Sequence, residues 1–196
     1  MEKGVKYLIG NTPITESQLL KQSSFEIFSN DTIDFLSEIS NCLLKDTEVR
    51  NYPDVATFAF FCRRANINVL KKNYLSHDIF RVGRGIIFHI TPGNVPVNFA
   101  YSLFSGLISG NINIVKVPSK QFEQVNIIIR AISKVLNLNN FNKIFGNRLY
   151  IIKYEKDNEA TKIFSQLCDV RIIWGGDNTI NEIRKASIPP KSTELT

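Results

Sequence analysis

Cysteine and histidine are scarce in this sequence, and that scarcity closes off several functions. Cys42, Cys62 and Cys168 stand far apart with no C-x-x-C pair, which argues against a disulfide framework and against a zinc site. His77 and His89 are too few and too distant to form a metal cluster. No stretch is apolar for long enough to span a bilayer, and the opening MEKGVKYLIG lacks the charged-then-apolar layout of a signal peptide. The expectation is a cytoplasmic chain with no membrane span. Basic residues exceed acidic ones, 24 against 18, for a net charge of +6. They are scattered and accompany no nucleic-acid motif, so no nucleic-acid partner is expected. A ligand with several phosphates also favours a basic protein. What remains is 196 residues, 43% hydrophobic and 21% charged, enough for one substantial domain or one with a helical extension.

The most informative stretch runs from Arg81 to Lys120, RVGRGIIFHITPGNVPVNFAYSLFSGLISGNINIVKVPSK. Gly85 to Ile90 is a short apolar, β-branched run that ends in Thr91-Pro92-Gly93-Asn94, the pattern of a buried strand and a tight loop. Pro96 suits a helix start, and Val97, Ala100, Tyr101, Phe104, Leu107 and Ile108 repeat at helical spacing up to Gly110-Asn111. Ile112 to Val117 is a second strand, after which Pro118-Ser119 opens a helix to Leu136. Two strands joined by one helix imply a parallel crossover, whose ligands sit at the carboxyl ends of the strands.

Outside this unit the pattern continues. Val5 to Ile9 reads as an edge strand or arm, and Ser17 to Leu20 as one helical turn. Asn30 or Asp31 is the expected N-cap of a helix whose Ile33, Leu36, Ile39 and Leu43 form one stripe. Pro53 and Asp54 start a long helix to about Lys72, with a basic far end that is either a solvated terminus or a phosphate contact. Strands at Leu149 to Tyr154 and Asp169 to Trp174 alternate with helices at Lys156 to Leu167 and Asn178 to Lys185. That order predicts an α/β fold with an open, mostly parallel sheet. The tail KASIPPKSTELT reads as a chain cut in mid-fold, with no further strand left for a second domain.

Three places could carry chemistry. Gly83-Arg84-Gly85 is not among them: Phe88 occupies the third position of a G-x-G-x-x-G fingerprint, and the glycines precede the strand. Asn94, in the stiff Thr91-Pro92-Gly93-Asn94-Val95-Pro96 loop, is either an amide donor for an oxyanion or a cap on the next helix. Lys116 ends an apolar strand, where it either meets a ribose or phosphate or snorkels to water. Gly175-Gly176 suits a phosphate approach to a helix N-terminus, or is a plain turn. All three fall at strand ends that would share one sheet and open on one crevice.

These segments carry a resemblance. GIIFHITPGNVP, GLISGNINIVKVPSK, FAFFCRRANINVLKKNY and RIIWGGD together resemble the acyl-CoA reductase branch of the aldehyde dehydrogenase superfamily, typified by the fatty-acid reductase of bacterial bioluminescence operons. The resemblance runs from about Tyr52 to the end. It implies an aldehyde-dehydrogenase-like, Rossmann-type sheet: an arm and helices over 1–75, an NADP-binding domain over 76–190 and a truncated tail over 191–196. It also implies reduction of a fatty-acyl thioester, acyl-CoA or acyl-protein, to the aldehyde through a cysteine acyl-enzyme. By resemblance, Asn94 belongs to the oxyanion hole, Thr91, Pro92 and Gly93 to the loop passing the nicotinamide, Lys116 to the adenosine ribose and Gly175 and Gly176 to the turn beside the phosphates. The superfamily often places a glutamate after that lysine to hold the ribose 2′-hydroxyl. Pro118-Ser119-Lys120 stand there instead, so NADPH is the expected cofactor, with Ser119 at its site.

One departure matters. The family's nucleophilic cysteine lies beyond the Gly-Gly turn in a catalytic domain, and Cys42, Cys62 and Cys168 all precede that turn. The resemblance therefore implies a cofactor-binding part that binds NADPH weakly or not at all alone and does not turn over. It implies a homo-oligomer at full length and an acyl-protein synthetase as a partner. The alternatives are a reductase for a short or modified acyl group in surface-polysaccharide synthesis, and a non-catalytic nucleotide-binding module.

Overall fold

A computed structural model describes residues 4–10, 14–75, 79–155 and 159–196. In chain order its elements are β1 (Lys6–Ile9), α1 (Glu16–Leu20), α2 (Asn30–Lys45), a 3₁₀ turn (Thr47–Asn51), α3 (Pro53–Phe61), α4 (Arg64–Tyr74), β2 (Ile86–Ile90) and α5 (Asn98–Ile108). Then follow β3 (Ile112–Lys116), α6 (Glu123–Leu136), α7 (Phe141–Phe145), β4 (Leu149–Lys153), α8 (Ala160–Leu167), β5 (Val170–Ile173), α9 (Asp177–Arg184) and β6 (Thr193–Leu195).

The six strands form one sheet in the order β1-β4-β3-β2-β5-β6. β2 to β6 are mutually parallel, and β1 runs antiparallel along the β4 edge. The chain starts its parallel sheet at β2, winds outward through β3 and β4, then crosses back to place β5 and β6 on the other side. β2 and β5 therefore flank the point where the winding reverses, which is where open α/β sheets bind ligands. The fully buried sequence of β2, IIFHI, follows from helices on both faces. One face packs against α2, α3, α5 and α6 through residues such as Phe35, Phe99, Phe104, Val115 and Ile151. The other meets α1 and α8 through Leu19, Phe88, Ile114, Tyr150 and Phe164.

Several boundaries differ from the sequence reading, each for a visible reason. The helix expected from Pro53 to Lys72 is two helices. Arg63 is extended, and the Asn66 side chain donates to the Phe61 carbonyl freed at the break, 2.7 Å. The break turns Phe58 and Ile67 both toward the core. Ser29, rather than Asn30 or Asp31, caps α2, its hydroxyl accepting from the Thr32 amide. α5 begins at Asn98, two residues after Pro96. α6 begins at Glu123, because Phe122 is extended and the Ser119 hydroxyl donates to the Tyr154 carbonyl instead of capping a helix. α8 is described from Ala160; the start expected at Lys156 lies outside the described residues.

The tail holds the largest difference. Thr193–Leu195 is a sixth strand, parallel to β5. Arg171 on β5, only 3% exposed, donates from Nε and Nη2 to Glu194 on β6. Its Nη1 donates to the Ser165 hydroxyl and the Ala186 carbonyl. A buried guanidinium needs a partner for nearly every donor, and the tail supplies the carboxylate.

Candidate crevice at the strand ends

The carboxyl ends of β5, β2, β3 and β4 are joined by a row of hydrogen bonds. Trp174 donates its amide to the Ile90 carbonyl at 2.9 Å. Thr91 donates its hydroxyl to the Lys116 carbonyl at 2.7 Å, and Ser119 donates to the Tyr154 carbonyl at 3.0 Å. The strand register sets this row, since Ile90 lies opposite Lys116 on one side and Ile173 on the other. Thr91 and Ser119 thus tie the rim together. Their hydroxyl protons are already given to the backbone.

The three places singled out in the sequence all lie at this end of the sheet: Asn94 after β2, Lys116 at the end of β3 and Gly175-Gly176 after β5. Asn94 is exposed and its carboxamide makes no hydrogen bond among the described residues. It does not cap α5, whose N-cap is Val97 with no side-chain cap bond. Its amide donor is free. Gly93 and Gly176 both adopt ordinary φ, and a Cβ built on either meets nothing within 4 Å. Neither glycine is required by its φ, and the space beside both is open. Gly175 differs: a Cβ there would come within 3.0 Å of Thr179, so it serves the turn into α9.

Lys116 is half buried, with Nζ 5.0 Å from the Tyr154 ring centroid. Burial lowers its pKa, nearby Glu155 raises it and Lys153 lowers it again. The Tyr154 ring and the nearby Glu155 carboxylate offset part of that desolvation cost. Sequence reasoning missed Glu155. The only available signal was its place just beyond the β4 strand, opposite the lysine's own strand.

Sequence reasoning also missed a buried polar chain beneath the rim. His89, fully buried in β2, lies 3.0 Å from Asn113 Oδ1 through Nε2 and 2.7 Å from Ser102 Oγ through Nδ1. Asn113 spends its amide on the Asn111 carbonyl, so Oδ1 accepts and His89 Nε2 carries the proton. Nδ1 then accepts from Ser102, whose oxygen accepts from Trp174 Nε1 at 3.1 Å. Burial pushes the imidazole pKa down from 6.5 to about 4, so the ring is neutral. Alternation along β2 pointed His89 at one face, but nothing in the sequence paired it with Ser102.

None of the cysteines serves this crevice. Cys62 is buried among α2 to α5, and desolvation raises its thiol pKa far out of the reactive range. Cys168 precedes β5, at the opposite end of the sheet, and burial lifts its pKa to about 11. Cys42 lies on α2, beside Lys45 and Arg130. No group of His, Cys, Asp and Glu among the described residues would hold a metal, and no described helix is long and apolar enough to cross a membrane.

The model of the acyl-CoA reductase (LuxC) family matches residues 46–196, more than half of the chain and all three crevice loops. The chain belongs to the acyl-CoA reductase (LuxC) family. Solved structures agree on the fold. An aldehyde dehydrogenase from Bacillus cereus superposes with a TM-score of 0.60 at 11% identity, covering 83% of this chain and 37% of its own. An NAD-dependent benzaldehyde dehydrogenase from Corynebacterium glutamicum gives 0.55 at 14%, covering 86% and 42%. The gamma-glutamyl phosphate reductase of Thermotoga maritima gives 0.54 at 15%, covering 92% and 50%. The chain thus spans half or less of the length of these relatives. Comparison with curated proteins gave no match. The chain has an aldehyde-dehydrogenase-like α/β fold.

Proposed function

We propose that this chain is the cofactor-binding part of a reductase that takes a fatty-acyl thioester to its aldehyde with NADPH. The observation that carries the reading is the crevice at the β2/β5 reversal. It gathers a free amide donor, Asn94, a desolvated ammonium, Lys116, and two glycines that leave open space, Gly93 and Gly176.

A nicotinamide dinucleotide fits these residues. Lys116 would meet the ribose, the Thr91-Pro92-Gly93 loop would flank the nicotinamide with its backbone, and Gly176 would let the ligand approach closely. Asp177, in the first turn of α9, already answers that helix dipole and opposes a phosphate at the same place. The Gly175-Gly176 turn therefore suits an uncharged part of the nucleotide. The cofactor, when bound, supplies hydride. Asn94 Nδ2 would donate to the thioester carbonyl oxygen as it gains charge, a contribution of about 3 kcal/mol for one such donor. Acyl transfer needs a thiolate that Cys42, Cys62 and Cys168 do not provide, so we place it in residues outside Met1–Thr196.

For cofactor choice, Pro118-Ser119-Lys120 offers no carboxylate to repel a 2′-phosphate, which favours NADPH. Glu155 supports a second reading: a carboxylate close enough to raise the Lys116 pKa is also able to accept from a 2′-hydroxyl, favouring NADH. Calorimetric titration separates the two. The account expects weak binding with NADPH at least tenfold tighter than NADH, and Glu155→Gln leaving that order unchanged. Tighter NADH binding that Glu155→Gln reverses would refute the NADPH assignment. The wider reading expects aldehyde from acyl-CoA and NADPH once the chain is joined to a thiolate-bearing partner domain. Turnover that persists undiminished in Asn94→Ala would remove the oxyanion role.

A further inference from the structure

Trp174 is the sequence's single tryptophan, and it stands 44% exposed at the carboxyl end of β5. An indole left in water at a strand end is normally free to turn, yet this one is fixed. Nε1 donates to Ser102, which is itself held by His89, which is held by Asn113. Gly106 allows α5 to lie close over this chain: a Cβ there would sit 1.9 Å from Asn113 Oδ1 and 2.9 Å from His89 Nε2. Four elements, β3, β2, α5 and β5, thus converge on the orientation of one half-exposed ring.

The strand alternation divides the crevice into two sides of different character. Lys116 and Tyr154 project to the α8 face, where the Tyr154 hydroxyl meets Thr161. Trp174 and His89 project to the α5 face. α5 contains no acidic or basic residue, NFAYSLFSGLI, and the loop leading into it carries Asn94 and the exposed Val95. A phosphate-bearing ligand is drawn to the cationic side. An uncharged, apolar one is matched to the other, next to the free amide of Asn94.

Resting on the reductase reading above, we infer that Trp174, fixed by the Ser102–His89–Asn113 chain, is a specificity residue that forms the apolar wall against which the acyl chain of the thioester packs. Ser102 and His89 are positioning residues that act through the indole. An aromatic ring with its N–H already satisfied presents an apolar face that a ligand can cover without desolvating the N–H, which suits methylene groups and discriminates by chain length.

The test uses Trp174 fluorescence and calorimetry on the chain, with decanoyl-CoA, CoA and NADPH as probes. Decanoyl-CoA is expected to shift the emission to the blue, with CoA leaving it in place. Trp174→Ala should weaken decanoyl-CoA at least tenfold and NADPH less than twofold, while Trp174→Phe, which keeps an aromatic wall, stays within about threefold for both. Ser102→Ala should leave NADPH affinity intact and narrow the difference between decanoyl-CoA and butanoyl-CoA, which a merely structural serine would not do. Identical responses to decanoyl-CoA and CoA, or parallel losses of both ligands in Trp174→Ala, would overturn the inference. If NADPH binds and the indole ignores the acyl chain, this inference alone fails. If neither ligand binds, the reductase reading fails with it.

Discussion

Acidification puts the buried His89 under a load that can be calculated. The imidazole has an unperturbed pKa of 6.5 and about 4 in the folded chain. The unfolded state therefore binds more protons than the folded one between these values, and stability falls as pH drops through that window. Below pH 4 the full difference is about 3 kcal/mol, and about 2 kcal/mol of it is lost between pH 7 and pH 5. The sign is set by burial, which penalises the charged imidazolium more than the Asn113 hydrogen bond favours it. Nε2 already donates to Asn113 Oδ1, so a new proton must go to Nδ1, which then donates to Ser102 Oγ and takes away the acceptor of the Ser102 hydroxyl proton, one bond from Trp174. The assay is urea unfolding followed by circular dichroism at pH 7 and pH 5, in a His77→Asn background so that His89 is the only histidine. The expected loss is about 2 kcal/mol, accompanied by a change in Trp174 emission before global unfolding. His89→Asn should abolish the pH dependence over this range. Equal stability at the two pH values, or the same slope in His89→Asn, would refute the reasoning.

Three further outcomes follow from the packing. Gly106→Ala should lower stability by about 1–3 kcal/mol, since its Cβ meets Asn113 and His89 at sub-contact distances, as a melting curve would report. Glu194→Gln should cost about 3 kcal/mol in chemical unfolding, because it leaves the buried Arg171 without its counter-charge. A thiol reagent should modify Cys42 in the native chain, with Cys62 and Cys168 reacting only on unfolding; rapid labelling of Cys62 or Cys168 would contradict their burial at 0% and 1% exposure.

The α/β alternation was legible because β-branched runs and helical spacing are local signals. Ile86–Ile90 and Ile112–Lys116 stand within a residue of where the pattern put them. That Asn94, Lys116 and Gly175-Gly176 share one end of the sheet was also legible, since each follows a strand. What the pattern hid depends on partners distant in sequence. β6 is three residues long and becomes a strand because Arg171 needs Glu194, a pairing no local window contains. The break at Arg63 answers to where the core lies, since both halves have helical composition. Pro118-Ser119 looks like a helix start, yet Ser119 is taken by the Tyr154 carbonyl just beyond the neighbouring strand. His89, Ser102 and Trp174 each read as bland alone, and their chain exists only when β2, α5 and β5 are packed together.

Binding of a nicotinamide dinucleotide in the crevice at the β2/β5 reversal underlies every role proposed for these residues. The most direct measurement is chemical-shift mapping of the isotopically labelled chain during an NADPH titration extended to millimolar ligand, with Lys116→Ala as the control. Saturating shifts are expected in the amides of Gly93, Asn94, Lys116, Gly175 and Gly176, with their loss in Lys116→Ala. Shifts that gather elsewhere, that never saturate, or that survive unchanged in Lys116→Ala would contradict it.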